Sequence, residues 1–137
     1  MVRGVTDGTP GKAPWAARHA EWFACGIIDP RKLEGYLLSH SHRQGKHKAR
    51  LWRSVFGFEQ GDGSLLERLI RTQVEQADPV ERPGGKVRRW ELVIPRFRGP
   101  NANVGPVLTA WALAPGKDSP HLTTAYPLVG TGGRMGP

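Results

Sequence analysis

Leu65, Leu66, Leu69, Ile70, Val74 and Ala77 recur at intervals of three and four, the spacing of one buried helix face. Ser64 and Glu67 ahead of them read as a capping box, and Asp78-Pro79 ends the pattern. Arg68 and Arg71 beside Glu67 and Glu75 form an ordinary solvated surface on the opposite side. Upstream, Trp15, Ala16, His19, Trp22 and Phe23 fit a short amphipathic helix that Gly26 would close. Asp29-Pro30 predicts a helix start running to about residue 39, with Leu33, Tyr36, Leu37 and Leu38 facing inward. Residues 46–56 predict another helix, opened by Gly45 and closed by Gly57. Its apolar side carries Ala49, Trp52, Val55 and Phe56.

After Pro79 the period shortens from helical to alternating. Residues 86–95 predict a strand with Val87, Trp90, Leu92, Val93 and Ile94, preceded by a Pro83-Gly84-Gly85 turn. Residues 95–105 read as a loop around Gly-Pro-Asn. Residues 107–114 predict a second strand, with Val107, Thr109, Trp111 and Leu113 on one face and Leu108, Ala110 and Ala112 on the other. Pro115 to Asp118 is a hairpin connection, residues 121–126 a third strand, and Pro127 is expected to end its pairing. Helices first and an antiparallel meander second make an α+β domain, its N-terminal helices packed on a C-terminal sheet of three or four strands. The domain is expected over residues 15–128, between a disordered arm or linker at 1–14 and a flexible tail at 129–137.

Composition narrows the partners. A chain of 137 residues supports one domain, and no apolar run approaches the ~20 residues that span a bilayer. A formal net charge of +8 implies an anionic partner, with nucleic acid first, an acidic protein second and a membrane surface third. The single cysteine, Cys25, has no internal disulfide partner. In the apolar context WFACGII it is expected to be a packed thiol, which fits action in the cytoplasm.

The positive charge concentrates in SHSHRQGKHKARLWR, residues 39–53, and no acidic residue lies between Gly35 and Phe58. On a helix, Lys46, Arg50 and Arg53 share the solvated face. Lys48 falls among the apolar positions, and a lysine there needs a reason. His42 lies in the turn just ahead. His40 and His42 lack a nearby cysteine or carboxylate, so neither a metal nor a cofactor is expected. Metal-free RNA cleavage needs a base for the 2′-hydroxyl, an acid for the leaving oxygen and cations for the phosphorane. On this reading His42 is general base or acid and Lys48 the phosphate stabiliser, with Thr109 and Thr124 hydrogen-bonding the same phosphate from the strands. Lys46, His47, Arg50, Arg53 and His121 would bind substrate, and Trp111 would stack a base.

KLEGYLL, H-x-x-G-x-x-KA (His42, Gly45, Lys48, Ala49), GPN, TAW and P-x-L-x-T-A-Y-P, in that order over about residues 27–127, resemble a bacterial domain family of unknown function. That family occurs beside small antitoxin candidates and at the C-terminal ends of large toxins and adhesins. Its layout is similar to the barnase–colicin–RelE group of metal-independent ribonuclease toxins, and GKHKARLW is similar to a stretch of the tRNA-cleaving colicin D type. The resemblance implies a toxin domain that cleaves tRNA or other structured RNA to a 2′,3′-cyclic phosphate. It also implies an acidic immunity protein or antitoxin as partner, and delivery from a secreted or larger parent toxin. The motif residues carried over are His42, Lys48, Thr109, Trp111 and Thr124. The family commonly has basic residues where this chain has Leu108 and His121; His121 would stand in for a phosphate clamp. The alternatives are a non-catalytic nucleic-acid-binding module of a mobile element or phage, and a binder of an acidic protein.

Overall fold

The computed structural model describes residues 15–129, so the expected arm at 1–14 and the tail at 129–137, Val129 excepted, lie outside the described residues. Helices α1 (Ala20–Ala24), α2 (Pro30–Lys32), α3 (Lys46–Phe56) and α4 (Gly63–Gln73) precede the sheet. A π-helical turn (Leu33–Leu37) continues α2, and 3-10 turns flank the set at Trp15–Arg18 and Val74–Gln76. Strands β1 (Val80–Arg82), β2 (Arg88–Arg98), β3 (Val104–Leu113) and β4 (His121–Pro127) form one antiparallel meander in sequence order. The fold is the α+β arrangement expected, with four strands.

One face of the sheet carries the core. Trp90, Leu92, Ile94, Phe97, Val107, Trp111, Leu122 and Ala125 pack there against Phe23, Leu33, Leu37, Trp52, Phe56, Leu66 and Ile70. Two aromatic groups anchor the layers. Trp52 meets Phe56, Phe58 and Phe97, and Phe23 meets Trp22, Trp90 and Trp111, at centroid distances between 4.9 and 6.1 Å. Each of these rings except the half-buried Trp22 contributes roughly 1.5–3 kcal/mol through the area it removes from water. The Trp52 Nε1–H donates to the Ala125 carbonyl at 3.1 Å, tying α3 to β4.

Four local expectations need correction. Among the first residues it is Ala17, Ala20, Phe23 and Ala24 that turn inward, while Trp15 is 63% exposed. Cys25 is exposed rather than packed, because it lies past the last inward position of α1. The third correction concerns the expected loop at 95–105. β2 continues through Pro95 to Arg98, and β3 begins at Val104. Pro95 and Arg96 oppose the single residue Pro106, a bulge that absorbs the donor proline lacks. Beyond the bulge, Gln76 and Gln73 bond the Arg96 and Arg98 backbones in both directions at 2.7–3.2 Å, substituting for a neighbouring strand. At the far side of the sheet Pro127 still pairs, opposite Val107.

The capping box also gives way. Ser64 lies inside α4, and the N-cap position is Asp62, whose side chain makes no capping bond to the helix. The cap comes from elsewhere: the Glu34 carboxylate accepts the Gly61 N–H at 2.7 Å and the Gly63 N–H at 2.6 Å. An anion at the positive end of α4 satisfies donors that Ser64 does not. Glu34→Ala is therefore expected to lower stability by about 2 kcal/mol, since two bonds to a charged acceptor are lost and the N–H of the buried Gly63 is orphaned. A urea unfolding midpoint that does not move would refute this role.

Candidate functional site

His42 closes the turn that leads into α3. Its Nδ1 accepts the N–H groups of Gln44 at 3.0 Å and Gly45 at 2.9 Å, and its carbonyl accepts the Lys46 N–H. Its own N–H donates to the Ser39 hydroxyl at 3.2 Å. With Nδ1 occupied as an acceptor, the neutral ring carries its proton on Nε2. His42 as held can donate a hydrogen bond to a ligand through Nε2–H. It offers no free ring lone pair for taking a proton, which narrows the base-or-acid role expected of it.

Lys48 has the reason its position demanded. It is half-buried, and its Nζ donates to the Tyr36 hydroxyl at 2.9 Å. The same ammonium lies 5.1 Å from the Tyr36 ring centroid and 5.5 Å from that of Tyr126. Such cation–ring contacts contribute about 0.5–2 kcal/mol each. Lys32 approaches the Tyr36 ring at 5.3 Å, and the His42 ring stands edge-on to it at 4.9 Å. The imidazole and the ammonium thus meet on one phenol. Burial opposes ionisation of that phenol. Hydrogen bonding from Lys48 and the nearby Thr124 hydroxyl, together with the charges of Lys48 and Lys32, outweighs burial and holds the Tyr36 pKa below the usual tyrosine value. Thr124 Oγ1 is buried and makes no well-formed hydrogen bond, although it is near enough to act on the phenol.

Tyr36 sits where the chain leaves regular helix. Leu38 N–H bonds the Leu33 carbonyl across five residues, and this wider turn sets Tyr36, half-buried, at the margin of the buried Leu33–Leu37 stripe. Residues 36 and 45 then approach backbone to backbone. A Cβ on Gly45 would overlap the Tyr36 carbonyl oxygen and come 2.8 Å from its carbon.

The remaining expected site residues divide. Thr109 is sealed in the core: its hydroxyl donates to the Leu92 carbonyl and accepts the Trp111 Nε1–H, both at 2.8 Å. It cannot share a phosphate with Thr124. Thr124 pairs with Ala110, the neighbour of Thr109, so alternation puts the two threonines on opposite faces of the sheet. Trp111 is 1% exposed and packs on Phe23, which leaves no face for a base. His121 is half-buried at the other end of β4, ~10 Å or more along the strand from Thr124 and Tyr126. Of the α3 cations, Arg53 pairs with Glu59 at 3.4 Å. The side chains of Lys46, His47 and Arg50 have no charged or hydrogen-bonding partner among the described residues.

Tyr36, Lys32 and Tyr126 were not singled out by the sequence. The available signal was complementary need: an inward tyrosine hydroxyl and an inward ammonium each require a partner. A cleft of about 570 Å³ near Trp22, Leu113 and Lys117 shares no residue with this cluster. Among the described residues no group of three or more His, Cys, Asp or Glu side chains is placed to hold a metal ion, and no helix is long and apolar enough to cross a membrane.

A family model described as a domain of unknown function (DUF6883) matches residues 23–129, most of the chain and all of the cluster. No curated protein and no solved structure matches it.

Proposed function

The chain belongs to this family of domains of unknown function, and we propose that it is a metal-independent ribonuclease that acts on tRNA or other structured RNA in the cytoplasm. One observation supports this above others: His42 and Lys48 converge on the Tyr36 phenol at the start of a helix whose outer face carries unpaired cations. Lys48 would neutralise the scissile phosphate, and His42 Nε2–H would donate to one of its oxygens. Lys46, His47 and Arg50 would hold flanking phosphates. Thr109 and Trp111 serve the core in this scheme. A small acidic immunity protein or antitoxin would cover the same cationic surface, and the domain would act as a growth-inhibiting toxin.

The test is incubation of the purified full chain with total RNA and with tRNA in the presence of EDTA. The expected result is discrete cleavage that leaves 2′,3′-cyclic phosphate ends. RNA that stays intact would sink the ribonuclease reading.

A second reading has its own support. The His42 Nδ1 bonds are structural, and the unpaired stripe on α3 suits a non-catalytic nucleic-acid binder. In either case Lys46→Ala and Arg50→Ala should each weaken RNA binding and reduce the salt-dependence slope by about 0.7–0.9, one released counterion apiece. Binding titrations at several salt concentrations measure that slope. Unchanged slopes would remove α3 from the interface.

A further inference from the structure

Resting on the ribonuclease reading, we propose that Tyr36 is a catalytic residue, the base that takes the 2′-hydroxyl proton, and that Lys48 completes a proton relay with it. The argument is by function of each group. His42 presents a donor, because its Nδ1 lone pair is committed to two backbone N–H groups. A charged Lys48 has no lone pair to offer. Thr109 is sealed, and Thr124 Oγ1 is buried. The Tyr36 oxygen is left, held 2.9 Å from an ammonium that stabilises it when it is negative. The groups facing it are Lys32 from its own helix, His42 from the following loop, Lys48 from α3 and Thr124 from β4, with Tyr126 across Lys48. None of them carries negative charge at neutral pH, so the surroundings favour the phenolate.

The step balances within the dyad. The 2′-hydroxyl proton passes to Tyr36 Oη, which begins the step as the phenolate and leaves it as the phenol, and the O2′ electron pair forms the new O2′–P bond. The P–O5′ bond breaks and its electron pair stays on O5′, which takes a proton from Lys48 Nζ. The proton on Tyr36 then returns to Lys48 along their shared hydrogen bond, restoring both groups. The products are a 2′,3′-cyclic phosphate and a 5′-hydroxyl.

Two readouts test this. Tyr36→Phe is expected to lower single-turnover cleavage by about 10²–10⁴-fold, the range for loss of a positioned acid–base group, with RNA affinity retained. The chain has two tyrosines, so phenolate absorbance can be followed by pH titration without crowding. One phenol should ionise at lower pH than the other. That early step should vanish in Tyr36→Phe, persist in Tyr126→Phe and move to higher pH in Lys48→Met. Wild-type turnover in Tyr36→Phe would overturn the proposal while leaving the ribonuclease reading standing. Two phenols ionising together would also overturn it. A wild-type chain that leaves RNA intact would defeat both at once.

Discussion

Lys48→Met is expected to lower RNA cleavage by about 10²–10³-fold, as removal of a single preorganised charge donor does elsewhere. The variant should still fold. Methionine keeps an unbranched stem where the lysine has one, and it removes the half-buried charge that lies near the Tyr36 and Tyr126 rings. The loss should fall on turnover rather than on affinity, because the unpaired cations of α3 would still hold the flanking phosphates. Lys48→Arg separates charge from proton transfer. A guanidinium retains the positive charge but does not give up its proton, so turnover should stay low in this variant although the charge is restored. The double variant with Tyr36→Phe should be scarcely worse than either single change, since groups that act as a unit are not additive. Equal cleavage by Lys48→Met and the wild type, measured with enzyme in excess over RNA, would rule Lys48 out.

Gly45→Ala is expected to be the most damaging single methyl in the domain, lowering stability by about 3 kcal/mol or more. The reason is not backbone conformation, because Gly45 has φ −83° and ψ −17°, which any residue adopts. It is contact. An added Cβ would meet the Tyr36 carbonyl group itself, and a main-chain carbonyl cannot rotate away as a side chain can. Relief requires α3 to move off the π-helical turn, which would also part Lys48 from Tyr36. Against a typical domain stability of about 5–15 kcal/mol this is a large fraction. Thermal unfolding with a midpoint close to wild type would show that the two backbones are not in contact. If the variant remains folded, its cleavage rate should still fall, because the Lys48–Tyr36 bond depends on the same approach.

Much of the fold was legible because its rules are local. Gly45 and Gly57 bound α3 as expected; Gly57 takes φ +82° and lets Phe58 N–H reach the Trp52 carbonyl. Asp29 caps α2 through the Arg31 N–H, and hydrogen bonding with Arg31 holds its carboxyl below the usual carboxylate range. The alternation in β3 correctly placed Val107, Thr109 and Trp111 together on one face. That same pattern contained the refutation of the Thr109–Thr124 pairing, but only the register of β4 against β3 made it visible. A bulge at Thr123 shifts that register, and no local propensity announces it. The ends of α4 and β2 were misread for a related reason. Their terminal backbone groups are satisfied by Glu34, Gln73 and Gln76, residues 20 to 29 positions distant in the chain.

By itself the sequence determined the order of helices and strands, the split between core and surface faces, the cationic helix and the anomaly of Lys48 on its inner side. These follow from periodicity and charge, which act within a turn or two of the chain. Only the tertiary structure decided what that lysine touches, which face of the sheet each threonine occupies, and which nitrogen of His42 remains free. Those outcomes depend on how closely the turn around Tyr36 approaches the start of α3 and on the register of the last strand. Both are set by packing between segments far apart in sequence.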